Sequence, residues 1–260
     1  MSHLKDKIAL ITGAASGIGA DLAKRFAQEG AHVILADIDI DKAQHQAHLL
    51  VQKGLSATAC FVDVTSEQAV VKLYESIRND FKRLDVMICN AGVQHIDSIE
   101  NLSYSNWKKV VDVHLGGAFL LTREALKMMY EKKRGKIIYI GSVHSKEASK
   151  LKGPYVAAKH GMLGLCKVVA KEGAEYGVAA NIICPGFVKT PLVEKQIPEQ
   201  AKALGISEDE VIKQIMLKDT VDGEFTTLED VSSAAVFLAS FKTAALTGQS
   251  LIVSHGWCME

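Results

Sequence analysis

Tyr155 and Lys159 are the two residues of this sequence whose types and spacing most directly suggest chemistry. They are four positions apart, about one turn of an α-helix, so their side chains would project from the same face. Pro154 suits the first position of such a helix. A nearby ammonium favours the phenolate and lowers the pKa of a tyrosine from its usual ~10. We therefore predict that Tyr155 is a base assisted by Lys159, with Ser142 as a third candidate upstream.

A glycine-rich loop near the N-terminus argues against the alternative that Tyr155 merely packs in a core and Lys159 lies in solvent. The loop, residues 13–19, follows an apolar run at residues 7–12 and precedes a helical pattern at residues 20–27. Glycines here allow a sharp turn and let a pyrophosphate approach the N-terminus of the helix. The candidate cofactor contacts in the loop are Gly13, Ser16, Gly17, Ile18 and Gly19.

Asp37 ends the next apolar run, residues 32–36. An acidic residue about 20 positions after such a loop is placed to hold the ribose 2′-hydroxyl of a dinucleotide. The loop alone could be an ordinary strand-to-helix turn, but the order strand, loop, helix, strand and acid favours dinucleotide binding. A carboxylate would repel a 2′-phosphate, and neither Ser16 nor Ile38 supplies a compensating cation. The sequence therefore predicts NAD in preference to NADP.

Apolar runs alternate with helical patterns along the whole chain, which has 260 residues, 48% of them apolar and 23% charged. Continuous apolar strands separated by amphipathic helices indicate a parallel sheet covered on both faces. We predict an α/β fold: one Rossmann-type doubly wound parallel sheet in a single domain spanning residues 1–260. A segment at about residues 186–226 interrupts the pattern and is predicted to form a helical lid. The predicted strands lie near residues 7–12, 32–36, 57–62, 85–89, 136–141, 179–184 and 249–253.

Charge and composition narrow the possible partners. The formal net charge is zero and the pI is about 7.1, so nothing points to nucleic acid or to an anionic membrane. No stretch approaches the ~20 apolar residues that a membrane span requires. The five cysteines are scattered without metal-ligand spacing, and we expect reduced thiols and no metal site. These features predict a soluble cytoplasmic protein that acts on a small molecule.

The motifs together resemble those of the classical short-chain dehydrogenases/reductases over nearly the whole chain. The resemblance implies catalytic roles for Ser142, Tyr155 and Lys159, with Tyr155 and Lys159 also contacting the cofactor. It further implies cofactor contacts from residues 63–64 and 90–92, closure over the nicotinamide by residues 185–190, and a homotetramer. The residues that carry it are the loop above together with Asp63, Val64, Asn90, Ala91, Gly92, Ser142, Tyr155, Lys159, Pro185, Gly186, Val188 and Thr190.

Four polar side chains would converge on the mouth of the cleft if this fold is correct: Gln94, His144, Lys152 and Gln196. An imidazole, an ammonium and two carboxamides can each donate a hydrogen bond to a small carboxylate. Taken singly, each has a plainer explanation, as a solvated lysine, a satisfied polar histidine or surface glutamines. Their combination resembles the bacterial 3-hydroxybutyrate dehydrogenases, which implies that these four residues, with Ser142 and Tyr155, bind the substrate.

Two positions depart from the family pattern. His114 occupies a position where an asparagine usually supports a water-linked proton path. Histidine can donate and accept hydrogen bonds and ordinarily titrates near neutral pH, so the path would either persist with altered pH behaviour or be weakened. Phe187 stands where these dehydrogenases commonly carry tryptophan, which keeps an aromatic wall but loses the indole N–H.

The resulting functional prediction is the reversible, NAD-dependent oxidation of (R)-3-hydroxybutyrate to acetoacetate, in which Tyr155 takes the hydroxyl proton. Two other functions stay open at this stage. A reductase of the same family could act on a 3-oxoacyl thioester with NADPH, although Asp37 and Lys152 argue against it. The second alternative is a protein that binds a dinucleotide but does not catalyse a reaction, and His114 is the only residue that favours it.

Overall fold

The computed structural model describes residues 2–259 and contains a seven-stranded parallel sheet. Every strand predicted from the sequence is present, with bounds that agree to within about one residue. Branched aliphatic residues dominate the strands, as is typical of strands buried on both faces. The strands are β1 (Ile8–Thr12), β2 (His32–Asp37), β3 (Ala57–Phe61), β4 (Val86–Cys89), β5 (Gly135–Ile140), β6 (Val178–Pro185) and β7 (Ser250–Val253).

The strand order is β3-β2-β1-β4-β5-β6-β7. The chain therefore builds outward from β1 in one direction and then from β4 in the other, the doubly wound topology that was predicted. Side chains of β1 alternate between the two faces: Leu10 packs in one apolar core with Ile34, and Ile11 in the other with Leu35. All four are fully buried, so both faces of the sheet are covered.

Helices form a layer on each face. α1, α2 and α9 contribute to one core, and α3, α5 and α6 to the other. Several helices begin at a side-chain cap: Ser66 accepts a hydrogen bond from the backbone of α3, and Thr227 does so for α9. The helices are α1 (Gly17–Gln28), α2 (Ile40–Val51), α3 (Glu67–Phe81), α4 (Tyr104–Val111), α5 (Gly117–Lys132), α6 (Gly153–Gly173), α7 (Pro191–Leu204), α8 (Glu208–Val211) and α9 (Leu228–Ser240).

The segment predicted to form a helical lid is helical, although its prolines interrupt the sequence pattern. Residues 186–226 include α7, α8 and a π-helical turn, Ile212–Met216. Pro198 lies inside α7, although proline ordinarily breaks a helix interior. The segment has its own small apolar core, which includes Val193, Val211 and Met216. A parallel bridge between Val188 and Thr226 joins its two ends.

Two further findings concern the described part of the chain. No helix within residues 2–259 is long and apolar enough to cross a membrane. Within the same residues, His, Cys, Asp and Glu side chains do not gather in groups of three or more that could hold a metal ion.

Candidate active site

A cleft lies where β1 separates β2 from β4, at the carboxyl ends of the central strands. Ligands of doubly wound sheets bind at this point because the chain connections leave it in opposite directions. The cavity has a volume of about 630 Å³, within the ~300–1,000 Å³ usual for ligand pockets. The predicted site residues that line it are Gly13, Ser16, Gly17, Ile18, Asp37, Asp63, Val64, Asn90, Ala91, Gly92, Gln94, His114, Ser142, His144, Lys152, Tyr155, Lys159, Pro185, Gly186, Val188, Thr190 and Gln196.

The glycine loop depends on conformations and spaces that only glycine fits. Gly13 has a φ angle of +65°, and a Cβ there would lie 2.8 Å from the Cα of Ala91. A Cβ at Gly19 would collide with the carbonyl of Gly13, so Gly19 serves close helix–strand packing and does not line the cleft. Ser16 caps α1 without a side-chain hydrogen bond. The first N–H groups of α1 thus remain suited to an anion such as pyrophosphate.

Asp37 is fixed at the carboxyl end of β2. Its two carboxylate oxygens each accept a backbone hydrogen bond, from Ala15 at 2.9 Å and from Asp39 at 2.9 Å. The side chain is therefore held against the glycine loop and faces the same cleft. A carboxylate positioned here can accept hydrogen bonds from ribose hydroxyls.

Asn90 anchors the glycine loop to β4. Its Nδ2 donates to the carbonyl oxygens of Thr12 at 2.9 Å and Gly13 at 3.1 Å. Asp63 makes a local turn instead, because its Oδ1 accepts from the backbone N–H and the hydroxyl of Thr65 at 2.9 and 2.7 Å. Both residues shape the walls of the cleft, and a contact with a cofactor would be additional to these bonds.

Ser142, Tyr155 and Lys159 come together in the cleft as predicted. Ser142 follows β5 and its Oγ accepts a hydrogen bond from the backbone N–H of His144 at 3.2 Å. Tyr155 and Lys159 lie on one face of α6, and Lys159 Nζ is 5.4 Å from the centre of the Tyr155 ring. Pro154 is in the first turn of α6. The three side chains therefore form one compact group at the junction of β5 and α6.

The pKa of Tyr155 is raised to about 12, opposite to the direction predicted from the sequence. Burial of the phenol is the largest cause, and a hydrogen bond with Ser142 offsets only part of it. Lys159 does not reverse the shift, because its Nζ donates to the Ile140 carbonyl at 2.6 Å and burial lowers its own pKa to about 8. With this pKa, Tyr155 is a neutral phenol at physiological pH.

His114 also departs from its predicted behaviour. It lies in a π-helical turn, Asp112–Gly116, between α4 and α5, and is 3% exposed. Burial, followed by the nearby charge of Lys159, lowers its pKa to about 3, so the ring is neutral and does not titrate near pH 7. Nε2 lies 2.7 Å from the Val93 carbonyl oxygen and 3.2 Å from the Val93 backbone nitrogen, whereas the buried Nδ1 has no hydrogen-bond partner within residues 2–259. Nδ1 of the neutral ring is therefore available for a further hydrogen bond.

Lys152 caps the N-terminal end of α6, and a bridge to Asp97 holds its backbone. The side chain is 1% exposed, which excludes a solvated loop lysine. Its Nζ lies 4.4 Å from the centre of the Phe187 ring and has no hydrogen bond or ion pair with the described residues. Burial lowers its pKa to about 8. The cleft therefore contains an ammonium that is mostly charged at neutral pH and lacks a counter-ion among residues 2–259.

The other three predicted substrate contacts surround the same space. His144 Nδ1 is 3.3 Å from Ser142 Oγ, and its buried Nε2 has no partner in the described chain. Burial, with Lys152 as a smaller cause, lowers the pKa of His144 to about 3, so a neutral ring can donate from Nε2. The Gln196 amide nitrogen donates to Leu192 at 3.1 Å and keeps a second N–H. Gln94 is half-buried.

Trp257 and Glu147 were not predicted as part of the site. Trp257 lines the cleft and stacks on Phe187, with ring centres 5.4 Å apart and an interplanar angle of 21°. Its indole N–H donates to a Glu147 carboxylate oxygen at 2.7 Å. The predicted aromatic wall at Phe187 is thus a stack of two rings. The sequence contains two tryptophans, but no local pattern predicts that Trp257 contacts Glu147, which is 110 positions away.

Comparison with known proteins establishes the family. The family model described as "short chain dehydrogenase" matches residues 7–201. This chain belongs to the short chain dehydrogenase family. The D-beta-hydroxybutyrate dehydrogenase of Rhizobium meliloti (strain 1021) is 40% identical, over 98% of this chain and 99% of its own. The D-beta-hydroxybutyrate dehydrogenase of Cupriavidus necator is 36% identical, over 99% of this chain and 100% of its own.

A solved structure of the same fold covers 99% of this chain and 99% of its own, at a TM-score of 0.88 and 30% sequence identity. It is a candidate NAD(P)-dependent gluconate 5-dehydrogenase from Beutenbergia cavernae with NADP bound at low occupancy. The short chain dehydrogenase family assignment makes the chain an oxidoreductase with a dinucleotide site. Its relatives differ in substrate, so substrate and cofactor choice have to be argued from the cleft itself.

The first prediction concerns the proton acceptor. Tyr155→Phe removes the hydroxyl and retains a ring that packs, so folding and dinucleotide binding should persist. Turnover should fall by roughly 10²-fold or more, as is usual when a positioned acid or base is deleted. The measurement is kcat for alcohol oxidation, followed by dinucleotide reduction. Tyr104→Phe is the matched control, because Tyr104 is 75% exposed. Near-normal turnover in Tyr155→Phe would assign the proton transfer to another group.

Proposed function

We propose that the protein oxidises (R)-3-hydroxybutyrate to acetoacetate with NAD, reversibly. The observation that carries the proposal is the buried Lys152 ammonium, which has no counter-ion among the described residues and shares the cleft with Tyr155. A small 3-hydroxy acid has a carboxylate for Lys152 and a C3 hydroxyl for Tyr155. The similarity to two D-beta-hydroxybutyrate dehydrogenases supports the same substrate.

Burial of the Lys152 ammonium has a free-energy cost that a bound carboxylate would reduce. An ammonium removed from water without a counter-ion is destabilised by several kcal/mol. The Phe187 ring offsets about 2 kcal/mol of this cost. A bound carboxylate would complete the ion pair, and the free N–H groups of His144 and Gln196 would add hydrogen bonds. A neutral 3-oxoacyl thioester would leave the Lys152 ammonium unpaired, so the cleft favours an acid.

The proposed mechanism assigns one role to each central side chain. Tyr155 takes the proton from the C3 hydroxyl, and Ser142 orients the substrate oxygen by hydrogen bonding. Lys159 keeps its charge near the Tyr155 ring. When bound, NAD supplies the hydride acceptor and, in its oxidised form, a positive charge. Because nearby positive charge favours a phenolate, we expect the pKa of Tyr155 in the complex with NAD to lie below the value of about 12 that burial gives it.

His114 has a secondary role in this proposal. Its Nε2 lies nearer to the Val93 carbonyl oxygen, at 2.7 Å, than to the Val93 backbone nitrogen, at 3.2 Å, and the shorter contact favours the tautomer with the proton on Nε2. Nδ1 is then an acceptor beside Tyr155, whose ring meets the imidazole edge-on at 5.2 Å. We assign His114 to the proton path as an acceptor that stays neutral, so it should not add an ionisation to the pH profile between pH 5 and 9.

The wider organisation is also a proposal. Residues 1–260 would form one dinucleotide-binding domain, with the segment at about 186–226 as its lid. The lid reaches the glycine loop, because a Cβ at Gly17 would lie 3.7 Å from the Thr190 side chain. The five cysteines form no disulfide within residues 2–259, in accord with a reducing compartment, and we propose a cytoplasmic location. We also propose a homotetramer, on the basis of the family resemblance alone.

The second prediction concerns cofactor choice. Asp37→Asn keeps one oxygen that can accept one of the two backbone hydrogen bonds, from Ala15 or from Asp39, and removes the negative charge that would repel a 2′-phosphate. The preference for NAD over NADP, measured as the ratio of kcat/KM values, should fall by about one to two decades, corresponding to roughly 1–3 kcal/mol of lost repulsion. Asp41→Asn, an exposed position nearby, should leave the ratio unchanged. Equal use of NAD and NADP by the unaltered enzyme would contradict the proposal.

The third prediction tests the carboxylate contact. Lys152→Ala should lower kcat/KM for 3-hydroxybutyrate by a factor corresponding to on the order of 2–4 kcal/mol, because the acid loses its ion pair and C3 is misplaced. Affinity for NAD should hardly change. Lys152→Arg should recover only part of the activity, since guanidinium is larger and planar. The measurement compares 3-hydroxybutyrate with an uncharged ester of the same acid.

Lys150→Ala is the matched control, because Lys150 is an exposed lysine on the same connection. Its kinetics should equal those of the unaltered enzyme. If Lys152→Ala depresses acid and ester equally, Lys152 is structural and the substrate assignment fails.

The fourth prediction is a pH dependence. Burial lowers the pKa of Lys152 to about 8, so the ammonium is charged below that pH and loses its proton above it. The KM for 3-hydroxybutyrate should therefore rise as pH increases beyond about 8, whereas the KM for the ester should not. In Lys152→Arg the rise should disappear, because arginine stays protonated. Parallel pH profiles for acid and ester would contradict this account.

A further inference from the structure

An aromatic cluster lies around the Lys152 ammonium. Phe187 contacts the ammonium with its ring face and stacks on Trp257. The imidazole of His144 meets Trp257 edge-on at 5.4 Å and Phe187 at 6.1 Å. The rings of Phe187 and Trp257 therefore set the surface against which Lys152 and His144 are placed.

This surface is assembled from separate parts of the chain. Phe187 follows β6, and Trp257 follows β7 near the C-terminus. The hydroxyl of Ser254 donates to the carbonyl of Trp257 and fixes its backbone. The backbone does not determine how the indole ring is rotated, so a side-chain contact has to do so.

Glu147 supplies that contact. Its carboxylate accepts the indole N–H of Trp257 at 2.7 Å, and its own backbone N–H donates to Val143 at 3.0 Å. Glu147 itself is exposed, so it reaches the indole from the solvent side of the cluster. The connection from β5 that carries Ser142 and His144 is thereby joined to the C-terminal tryptophan. A hydrogen bond to a charged acceptor is about twice as strong as a neutral one, which suits it to fix a ring.

We propose that Glu147 is a positioning residue for the acid-binding side of the cleft: through Trp257 and Phe187 it sets the place of the Lys152 ammonium. This inference rests on the proposed function of Lys152 in binding a carboxylate. Glu147 acts through ring orientation, because its carboxylate contacts the indole N–H of Trp257 and forms no ion pair with Lys152 within residues 2–259. The effect of Glu147 should therefore appear in the binding of the acid and not in the hydride-transfer step.

The test uses Glu147→Ala and Glu147→Gln in the full chain. Glutamine retains an oxygen that can accept the indole N–H, whereas alanine does not. Glu147→Ala should raise the KM for 3-hydroxybutyrate by about tenfold, the change that ~1.4 kcal/mol produces, and leave kcat within about twofold. Glu147→Gln should keep KM within about threefold of the unaltered enzyme. The KM for the uncharged ester should not change in either variant.

Trp257→Phe provides a second route to the same contact, since it retains a ring and removes the N–H. Its KM should rise like that of Glu147→Ala, and the double variant should be no worse than either single one, because both break one interaction. In a Trp107→Phe background Trp257 is the remaining tryptophan, and its emission should shift in Glu147→Ala but not in Glu147→Gln. Glu100→Ala, an exposed glutamate elsewhere, is the control and should behave as the unaltered enzyme.

The outcomes separate the two proposals. No turnover of 3-hydroxybutyrate by the unaltered enzyme would overturn the proposed function, and the positioning role with it. Normal turnover with unchanged KM in Glu147→Ala would overturn the positioning role alone. An equal rise in the KM for 3-hydroxybutyrate in Glu147→Gln and Glu147→Ala would assign the effect to the charge of Glu147 and would also overturn the positioning role. A rise in the KM of Glu147→Ala for acid and ester alike would show general loosening of the cleft, which would overturn the positioning role as well.

Discussion

Parallel pairing of β1 with β2 on one side and β4 on the other is the constraint on which the site depends. Thr12 pairs with Ala36, and Ile11 pairs with Ile88, so three strands end at one level. The glycine loop, Asp37 and Asn90 follow directly from those ends. Because the crossover connections leave this point in opposite directions, the sheet opens a cleft there without a gap in its core. Shifting the register by one residue would turn the strand side chains to the opposite face.

Burial governs the charges inside that cleft. It lowers the pKa values of Lys152 and Lys159 to about 8 and keeps both histidines, His114 and His144, neutral. It also raises the pKa of Tyr155. The cleft thus holds two ammonium groups at the edge of deprotonation and a phenol that resists it. A bound anion would stabilise the charge of Lys152, and positive charge beside Tyr155 would lower the pKa of the phenol and increase the fraction present as phenolate. Ligand binding and the protonation states required for catalysis are therefore coupled.

Local patterns were enough to predict the sheet and the dinucleotide loop. Each strand is a short apolar run, and the turn between β1 and α1 requires glycine at Gly13 whatever lies around it. The spacing of Tyr155 and Lys159 likewise placed both on one face of α6. Such features depend on residues close in sequence, so they are visible without the fold.

Features that depend on distant packing were not predicted. The pKa of Tyr155 was assigned the wrong direction, because spacing shows that an ammonium is near but not how much water is excluded. The titration of His114 was misjudged for the same reason. The contact between Glu147 and Trp257 joins residues 110 positions apart, and no periodicity records it. In the lid, the prolines indicated irregular chain, whereas Pro198 lies inside a helix that its own small core stabilises.

The central claim is that an unpaired buried ammonium selects a small hydroxy acid for oxidation by NAD. The most direct measurement is kcat/KM for one panel: (R)-3-hydroxybutyrate, its longer homologues, and a 3-hydroxyacyl thioester, each with NAD and with NADP. The account predicts the highest value for a free short-chain acid with NAD, at least tenfold above the thioester. A higher value for the thioester, or for any substrate with NADP, would contradict it.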